Sequence, residues 1–350
     1  MTLPPAWYHD PEVFRRERVS LWGRQWLAVG TTHQLDRPGR YLATTVAGCP
    51  VLVVSDAAGT VRAFHNVCRH RAGPLVWDGA GTCSRLVCRY HGWSYGLDGA
   101  LASARDFGCD PGALPLLAVH VDAWRGIVFV NLAPDPPPLA DAIGAFAEQC
   151  AGVRWEDFTP GGEAHYDVGA NWKVYAENYL EGYHIPLVHP GLNREVDASR
   201  YTVTVGERWC RHDAPTRQGA VNAGLWIWCW PNLALNVYPG GMNIERFVPL
   251  SPTTTRVSYS YFFAGAAHEA VVAMSTTVLE EDRRICEAVQ RNLEAGVYTA
   301  GVLSPRHERG VDAFQGWVRS ALAEATARDT AEPGSAAFSA PGEPTHPARG

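Results

Sequence analysis

Residues 66–75 read NVCRHRAGPL, and residues 87–96 read VCRYHGWSYG. Each stretch carries one cysteine and one histidine: Cys68 and His70, then, after seventeen intervening residues, Cys88 and His91. A thiolate and an imidazole on each of two tight loops can hold a metal centre between them. Two centres compete. One is a tetrahedral Cys2His2 zinc. The other is a 2Fe–2S cluster with two cysteines on one iron and two histidines on the other. The C-x-H spacing is cramped for two ligands of a single zinc, and it suits a cluster whose two irons take Cys68 and His70 separately. Gly73, Pro74 and Gly92 permit tight loops with N–H groups aimed at sulfide. Ser94 and Tyr95 can donate hydrogen bonds to sulfur, which raises the potential. These details favour the cluster.

The texture around the two loops sets the domain plan. Residues 6–29 read as helical, with Val13, Leu21, Trp22, Trp26 and Leu27 among charged residues. From 39 to about 134 short β-rich runs (YLATTV, VLVVS, VRAFHNV, GIVFVNL) alternate with Gly, Asp-Gly and Pro turns, as in a small antiparallel domain. APDPPPL at 133–139 is the expected linker, and 140–151 return to a helical pattern. Beyond 160 both textures occur: helices at 171–184 and 266–295, strands between 201 and 263, and a YPGGM hairpin turn at 238–242. The Pro/Gly/Ser/Ala-rich tail from 329 to 350 is expected to be disordered.

Composition excludes several classes. The chain has 350 residues, 46% hydrophobic and 19% charged, with thirteen tryptophans and a net charge of −6. No Lys/Arg run can track phosphates, so a nucleic-acid partner is not expected. No apolar stretch reaches the ~20 residues of a membrane helix, and the N-terminus has no apolar signal core. The cytoplasm is the default location. The nine cysteines do not read as a disulfide framework in such a chain. No G-x-G-x-x-G follows a strand, so no flavin or nicotinamide site is expected.

A second constellation lies at 177–189, ENYLEGYHIPLVH. Glu181 and His184 are three apart and share a face if the helix continues. His189 is five beyond His184, about 140° round an ideal helix. Pro186 lies between them and disfavours helix at Ile185. The helix should end or kink at His184, so that the following loop swings His189 back beside it. Two histidines and one carboxylate form the facial triad of non-haem Fe(II) oxygenases. In LEEDRRICEAVQRNL (279–293) Asp282 is the expected third ligand, with Glu281 the fallback. On its own a His pair near a proline is more often a packing pair; the electron-carrier motif upstream changes that weighting.

Together the motifs resemble the Rieske non-haem iron oxygenases, large (α) subunit. C-x-H-x17-C-x2-H with HGW is similar to the Rieske fingerprint. WYHDPEVFRRERVSLWGRQW, NWK…EN…YH…H and EEDRRICEAVQ extend the likeness over about 8–325. The resemblance implies a 2Fe–2S cluster on Cys68, His70, Cys88 and His91. It implies mononuclear Fe(II) on His184, His189 and Asp282, with O2 as co-substrate. It implies head-to-tail homotrimers in which Glu181 bridges His91 of one subunit and His184 of the next, with catalytic roles for Glu181 and Asn178. Electrons would come from a separate NAD(P)H-dependent flavin/iron–sulfur reductase or a ferredoxin. Ring-hydroxylating members usually place aspartate at the bridge. Glutamate, as in ENYLEGYH, resembles the branch acting on choline, glycine betaine, carnitine and proline betaine, which implies hydroxylation of an N-methyl group and oxidative N-demethylation.

The expected fold is α+β: a small antiparallel β Rieske domain (39–135) between an N-terminal helical part (1–38) and the rest of a helix-grip catalytic domain (136–328) with an antiparallel sheet. Trp226, Trp228 and Trp230 alternate on one strand and, with Tyr238, Phe247, Tyr259 and Tyr261, are candidates for a pocket that attracts an ammonium group; the competing reading is ordinary core. A substrate carboxylate would need a cation, and Arg200, Arg208, Arg211 and Arg217 all remain open. An oxygenase of aromatic or natural-product substrates, an electron-transfer Rieske protein without oxygenase activity and a zinc-stabilised binding module are the alternatives.

Overall fold

The computed structural model describes residues 1–218, 220–221, 223–265 and 269–331. The chain separates into two compact units. The larger contains Met1–Glu17 and Ile143–Ala327, and the smaller contains Arg18–Ala142. Helix α1 (Pro11–Ser20) opens the chain. The helical reading of 6–29 holds only there and in single turns at Pro5–Tyr8 and Trp22–Arg24. Strand β1 (Leu27–Thr31) follows and is buried along its whole length. It pairs with β10, so part of the segment 1–38 read as catalytic belongs to the small unit's sheet. LAVGT reads as a continuous apolar run, the pattern of a strand buried on both faces as well as of a helix.

The small unit is antiparallel throughout. Its strands are β2 (Arg40–Val46), β3 (Cys49–Ser55), β4 (Val61–His65), β5 (Gly79–Thr82), β6 (Leu86–Val87), β7 (Ser94–Tyr95), β8 (Leu101–Ser103), β9 (Ala118–Trp124) and β10 (Ile127–Asn131). Seven strands form one sheet in the order β1-β10-β9-β4-β3-β2-β5, and β6-β7-β8 form a second. Val51, Leu52, Val53 and Val54 are fully buried on β3. The four runs identified from sequence all fall on strands, and 133–139 leads into α2 (Leu139–Gln149).

The larger unit holds β11 (Thr159–Val168), α3 (Trp172–Tyr179), α4 (Ile185–Val188), α5 (Pro190–Glu195), β12 (Thr202–Val205), β13 (Trp209–Asp213), β14 (Leu225–Cys229), β15 (Leu233–Tyr238), β16 (Gly241–Ser251), β17 (Thr254–Phe263), α6 (Glu269–Glu294) and α7 (Arg309–Ala331). Its seven-stranded sheet runs β11-β17-β16-β15-β14-β13-β12, a meander closed by β11. β15 and β16 meet at Tyr238 and Gly241, so the hairpin turn is Pro239-Gly240, with Gly240 at φ 86°. The expected tail at 329–350 begins inside α7, and residues 332–350 lie outside the described residues.

Two helices pack on this sheet. α3 starts at Asn171, whose side chain accepts from the Lys173 N–H and caps the helix. The buried Lys173 ammonium meets buried Glu17 of α1 at 2.6 Å, and Trp172 Nε1 donates to the same carboxylate. α6 runs antiparallel to α3: Asn171 meets Gln290 near one end, and Asn178 meets Asp282 near the other. The buried stripe of α6 is Val271, Ser275, Leu279, Cys286, Gln290 and Leu293. Asp282 falls on that stripe, three after Leu279 and four before Cys286, so the helix period aims a carboxylate inward.

Candidate active site

α3 ends at Tyr179, earlier than the sequence reading, which ran helix to His184. Leu180 N–H closes on the Ala176 and Glu177 carbonyls. At Gly182 an added Cβ would lie 2.5 Å from the Tyr201 ring, so that ring packs there only because glycine has no side chain. The single-turn α4 then opens at Ile185, which is helical against the expectation set by Pro186, with the proline tolerated in the first turn; α4 returns His189 to His184. Glu181 and His184 therefore meet across a turn and share no regular helix.

Three donor atoms converge. His184 Nε2 lies 3.1 Å from His189 Nε2, and Asp282 Oδ1 lies 3.0 Å from His189 Nε2 and 3.7 Å from His184 Nε2. Among the described residues these three form a group able to hold a metal ion. An octahedral ion with ligand distances near 2.1 Å places neighbouring ligands roughly 3 Å apart, so the separations fit one ion on a triangular face.

The outer contacts fix which atoms face inward. Glu181 Oε1 accepts from His184 Nδ1 at 2.5 Å, while its Oε2 accepts from the backbone N–H of His184 and of Tyr183. Glu281 Oε2 accepts from His189 Nδ1 at 2.7 Å. A carboxylate only accepts, so both Nδ1 atoms carry hydrogen and both Nε2 lone pairs point at Asp282. Three electron-rich atoms so close are relieved by a shared cation. Asp282 and Glu281 are thereby separated: Asp282 joins the convergent donors, and Glu281 orients His189. Asn178 Nδ2 donates to Asp282 Oδ1 at 2.6 Å and fixes that carboxylate. Burial works against a charged His189, but Asp282 and Glu281 outweigh it and hold its pKa above the ordinary value.

In the small unit the two Cys/His loops share one backbone design. Cys68 N–H donates to the Gly73 carbonyl, and the Cys68 carbonyl accepts from Ala72. Cys88 N–H donates to the Trp93 carbonyl, and the Cys88 carbonyl accepts from Gly92. Ala72 and Gly92, each four after its cysteine, have φ of 55° and 75°. The equivalence was not visible in the unequal spacings C-x-H and C-x-x-H. The His70 and His91 rings lie 4.7 Å apart, and His70 stacks on Trp93 at 5.0 Å. His70 Nδ1 is buried with no hydrogen-bond partner, an orphan whose burial is costly unless a metal takes it. Tyr95 OH lies 3.2 Å from Cys68 Sγ, the sulfur contact expected of it. An added Cβ at Gly73 would come within 2.8 Å of Cys88 Sγ, so the loop backbone packs directly on that sulfur. These residues fit a 2Fe–2S cluster.

A cavity opens beside the His184–His189–Asp282 group. Its walls include Tyr175 and Tyr179 of α3, Trp226 of β14, Asn236 of β15, Asn243 and Glu245 of β16 and Tyr259 of β17. Of the aromatic candidates, Trp226 and Tyr259 line it and the others do not. Trp228 and Trp230 share the Trp226 face, but α7 covers them: Trp228 stacks on Trp317 at 5.8 Å, and Trp230 lies 5.9 Å from Phe314. Phe247 packs behind Tyr175 at 5.2 Å, Tyr238 is buried, and Tyr261 reaches Ser275 at 3.1 Å. Arg200, Arg208, Arg211 and Arg217 do not line the cavity, and Arg211 is paired with Asp213. The sequence reading missed Tyr175, Tyr179, Asn236, Asn243 and Glu245. Cross-strand register joins Trp226 to Asn236 and Asn236 to Asn243, while Glu245 sits two on from Asn243. Polar side chains at alternating inward positions of buried strands were the available signal.

Residues 25–117 match the family model of the Rieske [2Fe-2S] domain. Residues 155–222 and 206–324 match that of the ring hydroxylating alpha subunit (catalytic domain). The chain is 29% identical over 343 residues to the chloroplastic choline monooxygenase of Atriplex hortensis, covering 92% of this chain and 78% of that protein. It is 29% identical over 378 residues to the glycine betaine monooxygenase oxygenase subunit of Chromohalobacter salexigens, covering 90% and 84%. A solved quaternary ammonium Rieske monooxygenase, described in terms of carnitine oxidation and inter-subunit electron transfer, superimposes with a TM-score of 0.84 at 27% identity, covering 91% of this chain and 95% of that one. With a Rieske domain followed by this catalytic domain, the chain belongs to the Rieske non-haem iron oxygenases, as a large (α) subunit carrying a 2Fe–2S cluster and a mononuclear iron.

Proposed function

We propose that this subunit hydroxylates an N-methyl group of a quaternary ammonium compound and so demethylates it. The carrying observation is the aromatic wall beside the convergent donors: Tyr175, Tyr179, Trp226 and Tyr259 around one cavity. Aromatic faces attract a cation whose methyl groups cannot be hydrogen-bonded. The relatives named above, which act on choline, glycine betaine and carnitine, support the same class.

In this reading His184, His189 and Asp282 hold the iron, and Cys68, Cys88, His70 and His91 hold the cluster. When bound, the cluster supplies single electrons and the iron supplies oxygen activation. Glu281 and Asn178 keep His189 and Asp282 aimed at one point. The aromatic wall holds the ammonium group so that one methyl faces that point. Oxygen inserted into the methyl C–H, with two electrons and two protons reducing the second oxygen atom to water, gives a hemiaminal. Its C–N bond breaks, the nitrogen keeps the electron pair, the hydroxyl proton leaves and formaldehyde departs.

A separate NAD(P)H-dependent flavin/iron–sulfur reductase or a ferredoxin delivers the electrons, and a head-to-tail homotrimer passes them between subunits. Exposed apolar side chains flank both ends of that route. Trp77 (66% exposed) and Tyr90 (56%) lie beside the cluster loops, and Tyr183 (60%) and Leu187 (90%) beside Glu181. Such patches suit a contact between copies. Glu181, which already holds His184, is the inter-subunit bridge. The cytoplasm, where free thiols persist, suits the unbridged cysteines outside the cluster, Cys49, Cys83, Cys109, Cys150, Cys210, Cys229 and Cys286. Reconstituted with a reductase, the enzyme should release formaldehyde from an N-methylated ammonium compound in step with O2 uptake. Oxygenation of an arene with no formaldehyde from any such compound would sink the reading.

A further inference from the structure

Glu245 is a buried carboxylate that the scheme above leaves without a task. It lies on β16, is 2% exposed and belongs to the cavity wall. Its hydrogen-bond partners all donate to it. Tyr175 OH gives a 2.8 Å hydrogen bond to Oε1, and Asn236 Nδ2 a 3.1 Å bond to Oε2. Tyr179 OH donates to Asn236 Oδ1 at 2.8 Å, which turns the Asn236 amide so that its NH2 faces Glu245. The network is thus arranged for an anion, yet among the described residues no cation pairs with it. Arg246, the next residue, is directed to the opposite face of the sheet and reaches Ser260 at 3.1 Å. The charged side chain identified as acting on it is Asp282, of the same sign. Burial, Asp282 adding to it, raises the Glu245 carboxyl to about 7. A buried carboxylate without a counter-charge is costly, and a bound cation offsets that cost.

The rest of the wall carries the complementary message. The described residues lining the cavity include no lysine and no arginine. Apart from the iron held by His184, His189 and Asp282, a substrate carboxylate entering here would find Glu245 and Glu181, both of its own sign, and among the described residues no side-chain cation to receive it. The polar groups besides the acids and histidines are neutral: Asn178, Asn236, Asn243, Ser275 and the phenols.

We infer that Glu245 is the counter-ion of the bound substrate and restricts this site to ammonium cations that carry no carboxylate, such as an N-methylated amino alcohol. The inference rests on the ammonium reading above and narrows it. The relatives divide on this point: choline lacks a carboxylate, whereas glycine betaine and carnitine possess one.

The test is calorimetric binding to the iron-loaded oxygenase, with turnover measured in parallel, using choline, glycine betaine and 3,3-dimethyl-1-butanol (the uncharged carbon isostere of choline). Choline should bind at least tenfold more tightly than either of the others. Glu245→Gln should lower choline affinity at least tenfold, leave the isostere's affinity unchanged and retain the cluster spectrum and iron content. Glycine betaine binding as tightly as choline, with formaldehyde released from it, would overturn the inference and leave the ammonium reading intact. Equal losses for choline and isostere in Glu245→Gln would make Glu245 a packing residue and also overturn it. If no ammonium compound bound at all, both readings would fall. The wild-type ligand series decides the matter even if the variant does not fold.

Discussion

Two glutamates each hold the Nδ1 of a site histidine, and they do so from different places. Glu181 is three residues from His184 and lies in the same turn, whereas Glu281 reaches His189 from α6. Their substitution should separate orientation from electron delivery. Glu281→Ala leaves His189 free to rotate, and outer contacts of this kind are worth roughly 10- to 100-fold in metal affinity. Iron per chain, measured after dialysis against chelator, should drop while the cluster absorbance stays. Glu181→Gln keeps an oxygen that accepts from His184 Nδ1 and removes the charge, so both centres should stay loaded while turnover stops. Turnover surviving in Glu181→Gln would end its assignment as the bridge. Glu181 was legible in sequence from its place before the histidines. Glu281 was weighed only as a second-choice ligand, because two adjacent acids on a helix cannot be ranked until the helix phase against its neighbours is known.

At the scale of elements, the paired loops of the small unit show how closely backbone can be tied to cofactor. Gly73 and Ala72 play unlike parts. Gly73 is needed for space, since a methyl there meets Cys88 Sγ and Tyr90 Cβ at 2.8 Å. Ala72 sits where glycine would be preferred, at φ 55°. Gly73→Ala should therefore lower cluster iron and the visible absorbance. Ala72→Gly should keep both and stabilise the fold by a fraction of the roughly 1 kcal/mol that a left-handed residue costs. Thermal melting followed through the cluster absorbance checks both. The sequence made the loops recognisable through their ligand pattern. It gave no hint that they superimpose in hydrogen bonding, because that equivalence is carried by φ and ψ. The α3 boundary was misplaced for a related reason: ENYLEGYH keeps helical spacing to His184, but the helix closes at Leu180, whose N–H takes the Ala176 and Glu177 carbonyls.

Across the molecule, burial and charge compete, and Glu177 measures the contest. It is half-buried and accepts from Tyr8 OH at 2.7 Å and Gln315 Nε2 at 3.0 Å. Burial nevertheless raises its carboxyl to about 7, against the pull of Tyr8, Gln315, Lys173 and Arg319. The folded chain then keeps a proton that the unfolded chain releases above its ordinary value near 4.5. Stability from this group is present below that value and is lost as pH rises from 4.5 to 7. Glu177→Gln should remove that loss, worth at most about 3 kcal/mol. Melting points of variant and parent should diverge from pH 5 to pH 8 in favour of the variant. By itself the sequence determined the two-part plan, the cluster loops and the histidine pair around Pro186, because ligand spacing and helix or strand period are local properties. Tertiary structure alone decided which aromatics face the cavity. Trp226, Trp228 and Trp230 share a face and a chemistry, and only the cover of Phe314 and Trp317 assigns two of them to the core. It also decided that Glu245 faces the cavity with no lysine or arginine among the described lining residues, since a charge inside a strand is identified by what the neighbouring strands and helices place around it.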